Sequence, residues 1–237
     1  MKKIVLLTVN DFKHVFRDRM LCVFLLAPLL LTCFVRFFVP YISEVYPIII
    51  DYHIYIMMFG GIQTSIMFGF ITAFIILEEK DENVLQAIRV LPITPEYFIV
   101  YRLLFATVFS SLSAFLMLVF SGLVWPGLWN SFLLAIQYGL AAPFITLIIA
   151  TYAKNKVEGL AFFKGIDLLI LMPILSFFLP GLWKYLFSPI PMFWTYELYS
   201  NAIKGSGTIF AFFCGTVVYL LIFAFLISQF KKRVFNL

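Results

Sequence analysis

An all-α, polytopic membrane protein with six transmembrane helices is the fold class that this sequence predicts, and three observations carry it. Of 237 residues, 63% are hydrophobic and 12% charged, where a water-soluble domain carries about 25% charge; mean hydropathy is +1.04. The apolar residues gather into six runs, 20–39, 53–77, 98–124, 131–152, 165–183 and 207–230. Each is close to or above the roughly 20 residues that cross a bilayer at about 1.5 Å per residue. Finally, Lys and Arg cluster in the segments that alternate spans would leave on one side of the membrane. A chain so poor in polar side chains cannot clothe a soluble globule, so lipid is its solvent.

Residues 1–19 precede the first span. Val5, Val9, Phe12 and Phe16 recur on one helical face, with Lys2, Lys3, Lys13 and Arg17 elsewhere. That pattern predicts a helix lying in the membrane interface, basic side toward anionic head groups; the plainer alternative is an extension of the first span. The first span lacks a small-residue cleavage site and is followed by five others, so it reads as an anchor. Arg36 lies close enough to its outer end to snorkel.

The second span carries Gln63, Thr64, Ser65 and Thr72 beside Gly60, Gly61 and Gly69. Small and hydroxylated residues let helices approach closely, and could equally line a conduit between bundles. His53 sits near Asp51 at the outer end; an interfacial polar cluster and a proton sensor are the two readings.

The stretch after the second span is the only long charged island. Glu78, Glu79, Lys80, Asp81, Glu82 and Arg89 are six of the chain's 29 charged residues (17 basic, 12 acidic). Val84, Leu85, Ile88 and Leu91 form an apolar stripe about three turns long. Acidic residues suit its N-terminal end, and Pro92 and Pro95 stop it. A short helix in water is therefore predicted between the second and third spans, either touching another protein or packing on its own bundle.

The loop 153–159 is short and basic. In the fifth span Asp167 follows Lys164 by three residues, predicting an i, i+3 ion pair near the inner interface, with a substrate or gating role as the alternative. Pro173 predicts a mid-membrane kink. The outer segment 182–206 is apolar but broken by Ser188, Pro189 and Pro191, which predicts short re-entrant or interfacial helices. Gly205, Ser206 and Gly207 lead flexibly into the last span, and no internal repeat is evident.

Orientation follows from charge. With both termini inside, fourteen of the seventeen Lys and Arg residues are cytoplasmic, leaving Arg36, Lys184 and Lys204 outside. Trp125, Trp129, Trp183 and Trp194 then fall at or near the outer interface. The net charge of +5 reads as this bias and not as a nucleic-acid footprint. Cys22, Cys33 and Cys214 have neither metal-ligand nor disulfide spacing. His14 reads as a polar-face residue of the interfacial helix. No phosphate-binding loop, zinc-protease motif, paired carboxylates or Ser-His-Asp set can be assembled.

The layout of interfacial helix, first span, and second span ending in Glu78-Glu79, followed by the short helix and Leu91-Pro92-Ile93-Thr94-Pro95-Glu96-Tyr97-Phe98-Ile99-Val100-Tyr101-Arg102, resembles the ABC-2 type permeases of ATP-binding cassette exporters. The segment 155–165 and the broken outer segment look like the branch typified by fluoroquinolone exporter permeases. The resemblance spans the whole chain as one domain, 1–237. It implies that Glu78, Glu79, Glu82, Leu85, Ile88 and Arg89 contact or brace an ATPase through a coupling helix, and that Val9, Phe12, Phe16 and Arg17 form an elbow helix. It also implies that the second and fifth spans face a partner permease across a translocation path, with Gln63, Thr64, Thr72 and Pro173 as candidate path residues.

The implied assembly is two permeases, as a homodimer or heterodimer, with two ATPase chains in a bacterial-type plasma membrane. ATP and Mg would be held by the ATPase; this chain is expected to hold no cofactor or metal and to have no enzymatic activity. The expected function is export of an amphipathic or hydrophobic substrate such as a drug, lipid-like molecule or peptide. Two other classes remain: a membrane enzyme acting on a lipid-like substrate, and an immunity or interaction protein that transports nothing.

Overall fold

A computed structural model describes residues 15–82 and 95–235. The expected interfacial helix up to residue 14, with Val9 and Phe12, lies outside the described residues, as does the stripe with Leu85, Ile88 and Arg89. The chain runs as α1 (Arg19–Val45), a 3-10 turn (Pro47–Tyr52), α2 (His53–Asp81), α3 (Pro95–Phe120), α4 (Leu128–Tyr152) and α5 (Lys156–Leu171). α5 continues as a 3-10 helix (Met172–Phe178). A second 3-10 turn (Gly181–Phe187), α6 (Pro191–Lys204), α7 (Thr208–Phe230) and a π turn (Lys231–Phe235) complete it. Among the described residues six helices are long and apolar enough to cross a membrane, and the protein is a multi-pass membrane protein.

The six spans alternate in direction. At one end Lys156 of α5 meets Asp18 before α1 and Glu78 near the end of α2, Arg102 of α3 pairs with Glu79, and Arg233 after α7 covers the Tyr152 ring at the end of α4. This is the lysine-rich end, where α1 begins and α7 ends. The opposite end carries the exposed Trp125, Trp129 and Trp183.

α2 is the axis of the bundle: 89% of its apolar window is buried inside the protein, against 72% for α4 and 17–33% for the others. Small residues make this possible. A Cβ on Gly69 would lie 2.5 Å from the Ala142 carbonyl oxygen, and one on Gly61 would lie 2.8 Å from the Tyr138 ring. The Thr146 hydroxyl donates to the Gly69 carbonyl at 2.9 Å, and the Ser110 hydroxyl of α3 donates to the Ser65 carbonyl at 3.1 Å. The glycine and hydroxyl line of α2 therefore packs helices together within one protein. α3 closes on α2 and α4 to make a three-helix nucleus, with α1, α5 and α7 outside it.

Several boundaries differ from the sequence reading. α1 runs on to Val45 through Pro28 and Pro40. The fifth span starts nine residues early, at Lys156. Asn155 caps α5, its side-chain oxygen accepting from the Glu158 N–H at 2.9 Å, while the Glu158 carboxylate accepts from the Lys154 N–H at 2.6 Å. This is close to a capping box, and it turns an apparent polar loop into a helix start. Pro173 accordingly lies toward the tryptophan-rich end, where α5 gives way to 3-10 geometry and the Ser176 hydroxyl donates to the Pro173 carbonyl at 2.6 Å.

The broken outer segment is also more deeply seated than an interfacial cap. α6 is mostly buried: the Tyr196 hydroxyl donates to the Ile170 carbonyl at 3.1 Å and the Tyr199 hydroxyl to the Val124 carbonyl at 3.0 Å. Pro191 begins α6, and Pro180 and Pro189 flank the 3-10 turn before it, so the segment folds back against the bundle without spanning.

Candidate functional site

The lysine-rich end gathers charges from four spans. Asp18 caps α1, its carboxylate accepting from the Met20 N–H at 2.8 Å and the Leu21 N–H at 3.3 Å. Lys156 stands 3.5 Å from the other Asp18 oxygen and 3.0 Å from Glu78. Arg102, almost wholly buried, pairs with Glu79. Lys80 donates to the Ala153 carbonyl at 3.1 Å, fastening the end of α2 to that of α4. Burial opposes ionisation of Asp18, but the N–H groups of Leu21 and Met20 and the Lys156 charge outweigh it and hold its carboxyl below the usual 3.8.

Glu78 and Glu79 therefore brace spans of their own bundle. Glu82 is exposed and ends α2, its N–H donating to the Glu78 carbonyl. Phe16 and Arg17 are exposed in the turn of helix that precedes Asp18. Asp18 and Lys156 were missed by reading the sequence; the capping pattern Asn155…Glu158 was the one local signal that could have exposed Lys156 as a helical residue.

A second polar feature lies deep in the bundle. Gln63 of α2 donates through Nε2 to Oδ1 of Asp167 at 2.6 Å. This replaces the expected ion pair with Lys164, which is exposed on α5 and forms no such pair among the described residues. Lys164 is turned to the exposed face while Gln63 of α2 meets the carboxylate, and the early start of α5 puts Asp167 about 17 Å along the helix from Lys156 and not beside the interface. Of the other candidate path residues, Thr64 and Thr72 are buried, donating to the Gly61 and Phe68 carbonyls of their own helix at 2.9 Å. Pro173 is buried as well. Of these four, Gln63 is the one whose side chain hydrogen-bonds to a side chain on another described span.

At the tryptophan-rich end the Ser43 hydroxyl and His53 Nε2 are 2.7 Å apart. His53 takes Ser43 of α1 as its partner and not Asp51, which is exposed. Lys184 and Glu197 pair at 2.9 Å. No cluster of three or more His, Cys, Asp or Glu suited to a metal occurs among the described residues.

Comparison with known proteins gives this architecture a family. The profile of the family described as "Fluoroquinolones export permease protein Rv2686c-like" matches residues 11–227. Two curated relatives, fluoroquinolones export permease proteins MT2760 and Rv2686c from two strains of Mycobacterium tuberculosis, are each 27% identical over 218 residues, covering 89% of this chain and 86% of their own. No solved structure matches. With the family profile spanning nearly all six membrane helices, the chain belongs to the Rv2686c-like family of export permeases.

Proposed function

We propose that this permease is the membrane half of an ATP-driven exporter of the ABC-2 type, with hydrolysis on a separate chain docked at the lysine-rich end. The observation that carries this reading is the linkage of Glu78 and Glu79 to α1, α5 and α3 through Lys156 and Arg102. A partner that displaces the segment after α2 acts on four spans at once. The stripe of Leu85 and Ile88, with Arg89 and Glu82, is the docking helix, and Val9, Phe12, Phe16 and Arg17 belong to the elbow at the membrane surface. ATP and Mg are held by the partner, two copies of which serve two permeases.

The positive-inside rule supports a cytoplasmic lysine-rich end in a bacterial-type plasma membrane. A second permease copy is supported by Lys164, a charge exposed well within the length of a span, which lipid would cover only at considerable cost. The cargo is hydrophobic or amphipathic, and the relatives' names make a fluoroquinolone the first to try. The test is co-expression with a neighbouring ATPase gene. The chain is expected to co-purify with the ATPase and to support vanadate-sensitive hydrolysis, and Ile88→Asp is expected to abolish both transport and co-purification. Wild-type behaviour of Ile88→Asp would remove the docking-helix reading.

A further inference from the structure

Gln63 sits about 15 Å along α2 from His53, and Asp167 about 17 Å along α5 from Lys156. Both therefore lie well inside a hydrocarbon layer about 30 Å thick. A carboxylate there is costly unless a cation, a dipole or water answers it. Gln63 answers one oxygen, Oδ1, at 2.6 Å. Gln63 itself is 6% exposed, so its amide is fixed by packing and aims at the acid. Asp167 is only half-buried and has no basic partner among the described residues. Lys164 is turned to the exposed face of α5, and the nearby Tyr196 hydroxyl, within electrostatic reach of Asp167, is committed to the Ile170 carbonyl.

The surroundings are apolar and aromatic. One turn from Asp167, Phe163 packs on Phe24 of α1 and Phe70 of α2 with ring centroids 6.0 and 4.5 Å away. α5 thus meets α1 and α2 along an aromatic seam at Phe163, one turn from Asp167.

We propose that Asp167, held by Gln63 in the middle of the bundle, binds the positive charge of a lipophilic cationic cargo. Gln63 fixes Oδ1 and leaves Oδ2 for the cargo's cation, while the aromatic seam takes its apolar body. A neutral or anionic molecule of the same shape gains nothing from Oδ2 and is discriminated against. The inference rests on the export reading, because it assigns that reading's cargo a charge.

Asp167→Asn separates charge from structure, since an amide oxygen still accepts from Gln63 Nε2. The experiment measures binding of tetraphenylphosphonium, and of its anionic counterpart tetraphenylborate, to full-length permease in lipid nanodiscs. Saturable binding of the cation and not of the anion is expected, weakened about tenfold or more by Asp167→Asn and retained by Asp167→Glu. A second measurement needs no variant: dicyclohexylcarbodiimide should label Asp167, and saturating tetraphenylphosphonium should protect it. Absence of saturable cation binding, equal binding of both ions, unchanged binding by Asp167→Asn or undiminished labelling at Asp167 each overturns the site. ATPase co-purification by Asp167→Asn separates the two readings: its survival alongside any of those results leaves the exporter standing without a carboxylate cation site.

Discussion

Lys156 stands within 3.5 Å of two carboxylates from different helices, Asp18 and Glu78. About a third of the lysine side chain is exposed, so solvent screens each contact and the pairing adds at most about 1 kcal/mol to stability. Its larger effect is positional. Lys156→Met is expected to move the thermal midpoint only slightly while cutting export several-fold, with co-purification of the proposed ATPase retained; combining it with Glu78→Gln should recover part of the export. Asp18 has the sign of a depressed acid. Its contribution is complete above the unfolded value of 3.8 and is lost as pH falls through the lowered folded value. Acid unfolding of purified protein should therefore lose a component below pH 3.8 that is missing in Asp18→Ala. At Gly69 the constraint is steric: Gly69→Val pushes a side chain into the Ala142 backbone. A loss of roughly 1–3 kcal/mol is expected, read from thermal unfolding in detergent.

Among the elements, α5 shows what a sequence discloses and what it withholds. Its apolar body is plain, but Lys156 and Glu158 resemble loop residues until their partners are known: a cap at Asn155, and carboxylates on two other helices. Asn155→Ala should destabilise the first turn by about 1 kcal/mol, visible as faster amide hydrogen exchange at residues 157–159. The other spans are legible because each is a long apolar run between charges or prolines, and composition alone marks such runs. Helical periodicity cannot show that Gln63 meets Asp167, 104 residues away. Nor could it decide whether the glycines of α2 line a conduit or a packed seam, because both need small side chains; the neighbour that fills the space, Tyr138 or Ala142, comes from the fold.

For the whole molecule, packing gathers α2, α3 and α4 into a nucleus in which α2 and α4 are the most buried, while the outer spans carry wide exposed faces. Lys164 and Leu168 share the exposed face of α5, whereas Ile166 faces inward. If a second copy covers that face, Leu168→Cys in a background lacking Cys22, Cys33 and Cys214 should give a disulfide-linked dimer under mild oxidation, and Ile166→Cys should not. The close seat of Gly69 on Ala142, reinforced by Thr146 and by Lys80 on Ala153, has a mechanical meaning. Two helices locked backbone to backbone cannot slide past each other, so α2 behaves as a stiff rod. Glu78 is fixed near one end of that rod and Gln63 partway along it. A push on the first displaces the second, which puts the grip on Asp167 and the event at the membrane surface on a single degree of freedom.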